Sequence, residues 1–240
     1  MIKNILLRAL SGVFFILPSC SFAQDSICNV NTCAGFPVPL IVKDFIKNGY
    51  EKINLVTILG EKYVIVTTEN EINKCAVLFP VNEVGIAKTP VNFQNNNFCN
   101  YSILDGKVIS SWKDTAKWYD DIYQLNNNNW VLLFRDECVG CSVVKRIYFE
   151  NSKPSATLLL SDGSDFTKRS KIFGVISVQK ASLFRSANFD DKLKAYLIKG
   201  DVFDLTDMSP DGNFYKISYK MKNAKTLTAW ISYDDFSLKN

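Results

Sequence analysis

The chain is 240 residues long, 47% hydrophobic, 13% aromatic and 22% charged, with seven cysteines, no histidine and a formal net charge of +4. That aromatic content excludes a disordered chain and suits one large or two small domains, while so mild a basic excess gives no reason to expect nucleic acid as a partner. The missing histidine excludes Ser-His-Asp and Cys-His catalysis, histidine-ligated zinc and imidazole pH switches.

Residues 1–23 read as a signal peptide. Lys3 and Arg8 give a positive start, an apolar stretch runs from Ile5 to Leu17, and Ser21-Phe22-Ala23 supplies small residues for cleavage before Gln24. Leu17-Pro18-Ser19-Cys20 also resembles a lipobox, which would make Cys20 a lipid-anchored N-terminus, although proline is unusual there. The better site is Ser-Phe-Ala, and no later segment is apolar enough to predict a transmembrane anchor. Cleavage would leave Cys28, Cys33, Cys75, Cys99, Cys138 and Cys141, an even set that in an exported chain implies up to three disulfides. Sequence proximity suggests Cys28–Cys33, Cys75–Cys99 and Cys138–Cys141. The last pair, Cys-Val-Gly-Cys, has a spacing that would also serve thiol exchange or zinc. A strand-like segment follows it, however, where redox motifs open a helix, and zinc lacks a second such motif or a histidine.

Pro39 to Asn48 reads as a helix closed by Gly49. From Glu51 onward the pattern turns to β. Strands are predicted at Ile53–Leu59, Tyr63–Thr68, Cys75–Phe79, Lys107–Trp112, Trp118–Leu125, Trp130–Arg135, Val143–Phe149 and Ala156–Leu160. Gly60-Glu61-Lys62 reads as a hairpin turn, as does the asparagine run 126–129. Short strands at this spacing indicate an antiparallel sandwich, barrel or partial propeller over residues 24–170. Residues 171–240 form a second unit, with strands at Val175–Val178, Ala181–Phe184, Lys194–Ile198, Asp201–Asp207, Phe214–Tyr219 and Thr228–Ile231. So many strands in so few residues suit a small β-barrel, and the fold class is mainly β.

In this second unit Ala181-x-Leu183-Phe184, the run Tyr196-Leu197-Ile198-Lys199-Gly200-Asp201, Phe214-Tyr215-Lys216-Ile217 and the late Trp230-Ile231 resemble a bacterial SH3-like (SH3b) domain. Gly200 would make its tight turn, and Tyr196, Leu197, Val202, Leu205, Tyr215, Ile217 and Trp230 would alternate into its core. Phe184, Tyr219 and Tyr233 are the aromatics expected on its surface. In the first unit, Val108-Ile-Ser-Ser-Trp112 followed by Ala116-x-Trp118-Tyr119-x-Asp121-x-Tyr123 resembles exported β-rich proteins of Gram-negative bacteria that include inhibitors of lysozyme-type effectors. Alternation puts Trp118, Asp120 and Ile122 on one face of that strand and Tyr119, Asp121 and Tyr123 on the other. Unless the strand is a solvent-facing edge, one face carries an acid among aromatics.

Carboxylate-only glycoside hydrolysis would need two acids on one substrate. Of the candidates Asp114, Asp120, Asp121, Asp136 and Glu137, Asp120 and Asp121 are adjacent on a strand and point apart, as do Asp136 and Glu137, and nothing in the sequence identifies a pair assembled from distant strands. No G-x-S-x-G, P-loop or metal-ligand pattern occurs, so neither enzyme activity, cofactor nor metal is expected. The resemblances imply a periplasmic binding protein. Its partner would be a secreted toxin, blocked by an immunity protein, or else peptidoglycan held by the SH3b unit. Candidate contacts are Trp112, Trp118, Tyr119 and Tyr123, with Asp120 and Asp121 facing a basic target, and Phe184 and Tyr219 on the second unit.

Overall fold

The computed structural model describes residues 28–239 except 71, 94–97, 127–128, 164 and 223. The signal-peptide reading and Cys20 therefore lie outside the described residues. A short ribbon, β1 (Thr32–Cys33) and β2 (Phe36–Pro37), leads into helix α1 (Leu40–Lys47). The helix is followed by β3 (Lys52–Ile58), β4 (Glu61–Thr67), β5 (Ala76–Asn82) and β6 (Gly85–Ile86), an antiparallel meander. A second meander, in sequence order, comprises β7 (Ser102–Leu104), β8 (Lys107–Asp114), β9 (Lys117–Asn126), β10 (Asn129–Val139), β11 (Val143–Glu150) and β12 (Lys153–Ser161). The remaining strands are β13 (Phe173–Ile176), β14 (Lys180–Phe184), β15 (Lys192–Ile198), β16 (Val202–Met208), β17 (Phe214–Lys220), β18 (Thr226–Ser232) and β19 (Phe236–Lys239). They form one seven-stranded antiparallel sheet in the order β15-β14-β18-β17-β16-β13-β19.

The predicted helix and every predicted strand are present, within a few residues of the expected bounds. The first hairpin turns at Leu59-Gly60, both at positive φ, so Glu61 already belongs to β4. That geometry is the type I′ requirement of a two-residue hairpin, and glycine meets half of it without steric cost. Asn151-Ser152 makes the equivalent turn between β11 and β12.

Apolar side chains sort these elements into layers. Val42 of α1 packs with Val64, Val66 and Phe79 on one face of the four-stranded sheet. The opposite face, through Ile58, Tyr63, Ile65 and Leu78, meets Val108, Tyr123 and Leu132 of the six-stranded sheet, with Phe93 and Phe98 between them. The two sheets thus share one core, the sandwich arrangement among those open to the sequence. The seven-stranded sheet buries Ile176, Leu183, Leu197, Leu205, Ile217 and Ile231, and Val143 and Leu159 of the six-stranded sheet join this core. Each such side chain contributes about 1.5–3 kcal/mol of burial.

Three residues expected in that last core are outside it. Tyr196 is 52% exposed, Val202 is 55% exposed, and Trp230 is half-buried between the inward-facing Ala229 and Ile231. The strand period of two explains the first: Leu197 faces inward, so its neighbour Tyr196 must face out. Phe184, expected on the surface, is buried against Phe189 and Phe214.

All three disulfides join the pairs that sequence proximity suggests: Cys28–Cys33, Cys75–Cys99 and Cys138–Cys141. The third closes the turn between β10 and β11, at the end of a strand rather than at a helix N-terminus.

A Cβ added to Gly174 would collide with the buried ring of Phe203. Gly174→Ala should therefore cost about 2 kcal/mol in urea denaturation, because that ring has to move within a packed core. Burial, reinforced by the neighbouring Asp234, holds the Asp235 carboxyl above its ordinary range. A raised carboxyl binds its proton more readily in the folded chain, so its charge penalises folding once the pH exceeds the ordinary carboxylate value. Asp235→Asn should raise the melting temperature at neutral pH, and the difference should vanish well below the ordinary aspartate value of about 3.9.

Candidate functional site

Strand β9 lies between β8 and β10, so it is not an edge. Its alternation holds as expected, and each of its two adjacent acids meets an arginine on its own face. On the face that packs against the four-stranded sheet, register places Ser110, Asp121, Arg135 and Ile147 in one row across β8 to β11. The next row holds Trp112, Tyr119, Glu137 and Lys145. Asp121 is fully buried and accepts two bonds from Arg135, at 2.6 Å from Nε and 2.8 Å from Nη2. Trp112 Nε1 donates to the same carboxylate at 3.2 Å. Burial opposes the Arg135 charge, but its hydrogen bonds and attraction to Asp121 prevail and hold it above the ordinary guanidinium value.

This clamp fixes an aromatic surface. The rings of Trp112 and Tyr119 stack 4.2 Å apart at 11°, and the Arg135 guanidinium lies 5.0 Å from the Trp112 centroid and 5.9 Å from that of Tyr119. Both rings are partly exposed, near the tip of the β8–β9 hairpin. A guanidinium over an aromatic face is attractive, and two bonds to one carboxylate remove its freedom to swing away. The result is a preorganised patch of tryptophan, tyrosine and arginine.

The opposite face is organised by a second network. Asp136 accepts from Arg146 Nε and Nη2, each at 2.7 Å, and also from Arg169 Nη1. Arg169 Nη2 reaches Asp120 at 2.9 Å, and Ser111 Oγ donates to Asp120 at 2.7 Å. Arg169 Nε and Arg146 Nη2 donate to the carbonyls of Gly163 and Phe166, at 2.9 and 3.1 Å. Two acids and two arginines thereby tie the segment after β12 onto the sheet. Above them lies a groove of about 460 Å³, lined among others by Trp118, Asp120, Asp162 and Phe166. Trp118 is 37% exposed along it, with Lys113 Nζ 5.9 Å from its ring.

The hairpin thus brings Trp112, Trp118 and Tyr119 together near one tip, two on one face and one on the other. Asp120 and Asp121 do not face a basic target as expected; both are buried and their basic partners are Arg169 and Arg135 of the same chain. Tyr123 is no surface residue either, at 1% exposure in the inter-sheet core. Its hydroxyl has no hydrogen-bond partner among the described residues, and burial holds its phenol far above the ordinary value. Phe184 and Tyr219 belong to the seven-stranded sheet, apart from the hairpin. Phe184 is buried, while Tyr219 is half-buried and donates its hydroxyl to Asp201 at 3.2 Å. Arg135, Arg146 and Arg169 were not among the sequence candidates. Arg135 carries a local cue, next to two acids on an alternating strand, whereas pairing Arg169 with Asp120 requires the fold. Among the described residues no group of three Asp, Glu or Cys is placed to hold a metal ion.

Removing the charge with Asp121→Asn leaves Arg135 over a neutral amide and should cost about 3 kcal/mol in denaturation. Tyr123→Phe removes an unsatisfied buried hydroxyl and should instead gain about 1 kcal/mol, measured the same way.

No protein-family model matches the chain, and no curated protein and no solved structure matches it.

Proposed function

We propose that this chain is an exported, non-catalytic binding protein of the periplasm that acts as an immunity protein, occluding a secreted toxin that attacks the cell wall. The observation that carries the reading is the Trp112–Tyr119–Arg135 patch, held rigid from beneath by Asp121. Tryptophan, tyrosine and arginine are the residues in which interface hot spots are richest, and rigid side chains lose little freedom on binding. The buried acids fit the same reading. Asp121 and Asp136 each take two or more bonds from arginine, and Asp120 takes one from Arg169 and one from Ser111, which leaves them structural work rather than proton transfer. The three disulfides suit an oxidising compartment.

A second reading, attachment to peptidoglycan through residues 171–240 as an SH3b-like unit, is favoured by the exposed rings of Phe189, Tyr196 and Tyr233. Retention on purified sacculi separates the two. The test of the first is clearing of peptidoglycan gels by wall-cutting toxins of interbacterial secretion systems. The intact chain should suppress clearing by its target, and the Trp112→Ala, Tyr119→Ala double variant should weaken the complex at least about thirtyfold, equivalent to about 2 kcal/mol. Undiminished inhibition by that variant would remove the patch from the interface. Clearing produced by the chain itself, or binding to sacculi without any toxin complex, would overturn the immunity reading.

A further inference from the structure

The seven-stranded sheet ends in β15, which pairs with β14 and has no strand on its other side among the described residues. Residues 192, 194, 196 and 198 are all exposed, with a register irregularity in the pairing with β14 between 196 and 192. Two are lysines and two, Tyr196 and Ile198, are apolar, at 52% and 53% exposure. From β14, Lys180 sits opposite Ile198 and places its ammonium 4.1 Å from the Tyr196 ring centroid. Lys199 extends the basic edge by one residue. Among the described residues none of Lys180, Lys194 and Lys199 is in an ion pair. Of the nearby acids, Asp201 accepts from Ile198 N at 2.9 Å and from Tyr219, Asp191 accepts from Ser186, and Asp235 lies within electrostatic reach of Lys192.

Open strand edges carry unpaired main-chain groups that other strands can extend, and lysine is a common guard against that. Here the guard is selective. Lysines repel a second copy of the same basic edge and any basic strand, yet they attract an acidic one. Tyr196 and Ile198 add apolar contacts at the alternate positions where an added strand would present its own side chains. We propose that β15 is a docking edge for an extended acidic segment of another polypeptide, which adds to the sheet as an eighth strand. Main-chain bonds along residues 192–196 would supply the pairing, since Ile198 N–H already donates to Asp201 and its carbonyl accepts from Asp201 N, and the lysines would set the sign of charge it accepts. The site stands apart from the hairpin patch and does not rest on the toxin reading.

The test uses the full disulfide-bonded chain and a dye-labelled, end-blocked decapeptide of alternating Glu and Val, at low salt and neutral pH. Anisotropy should report binding, and amide exchange should slow at alternate positions within 192–196. Reversing charge with Lys180→Glu and Lys194→Glu should weaken binding about tenfold or more while the near-ultraviolet spectrum stays unchanged. The same peptide N-methylated at alternate residues should bind far more weakly, since it cannot complete the ladder; this control alters only the probe and so cannot unfold the protein. Equal binding of the N-methylated peptide, equal binding of an alternating Lys-Val peptide, protection confined to other strands, or no binding of the Glu-Val peptide would each overturn the proposal. So would capture by anionic vesicles without capture of the peptide.

Discussion

Two consecutive aspartates on a central strand impose the constraint around which this molecule is arranged. A strand points adjacent side chains to opposite faces, so Asp120 and Asp121 carry negative charge into both layers that cover the six-stranded sheet. A buried carboxylate without a partner is costly, and each of these has an arginine. Arg135 comes from the neighbouring strand, and Arg169 from the segment after β12. The first pairing is a matter of strand register alone. The second requires the chain to return across the sheet, and in doing so it fixes where the segment leading to β13 begins.

Such pairs do not necessarily add net stability, because desolvation offsets most of the attraction. Their value here is positional. A slip of β10 by one residue would take Arg135 off the Asp121 face and move Asp136 away from Arg146, leaving charges buried and unpaired on both sides at once. The same slip would take Leu132 out of the inter-sheet core and Phe134 out of the core on the opposite face. The ion pairs and the apolar burial thus specify one register together.

The same clamp connects fold to surface. Arg135 is held by a buried acid, yet its guanidinium reaches the stacked rings of Trp112 and Tyr119 near the hairpin tip. Rigidity at a binding surface lowers the entropy lost on association. The patch inherits its rigidity from a carboxylate that no partner would touch. In the seven-stranded sheet β15 presents a different kind of surface, an open strand edge bearing lysines.

Much of the fold was legible in the sequence because strand and turn signals are local. Period-two alternation located the longer strands, Gly60 marked the first hairpin, and three cysteine pairs close in sequence proved close in space. The two-residue strands β1, β2 and β6 carry too little pattern to be seen, and they form where longer neighbours supply partners. The aromatic hairpin was also visible, since Trp112, Trp118 and Tyr119 lie within one turn of each other in sequence. What the sequence could not decide was burial. Tyr123 and Phe184 differ from exposed tyrosines and phenylalanines only in what packs over them, and Tyr196 differs from Leu197 only in which face of its strand is covered. Nor could it reveal that Asp120 meets Arg169, because 49 residues separate them and only the return of the chain across the sheet brings the charges within 2.9 Å. Composition and alternation determined that this is a β protein with acids set among aromatics; tertiary packing alone decided that those acids are neutralised from within, because the partners of a buried charge are chosen in space and not along the chain.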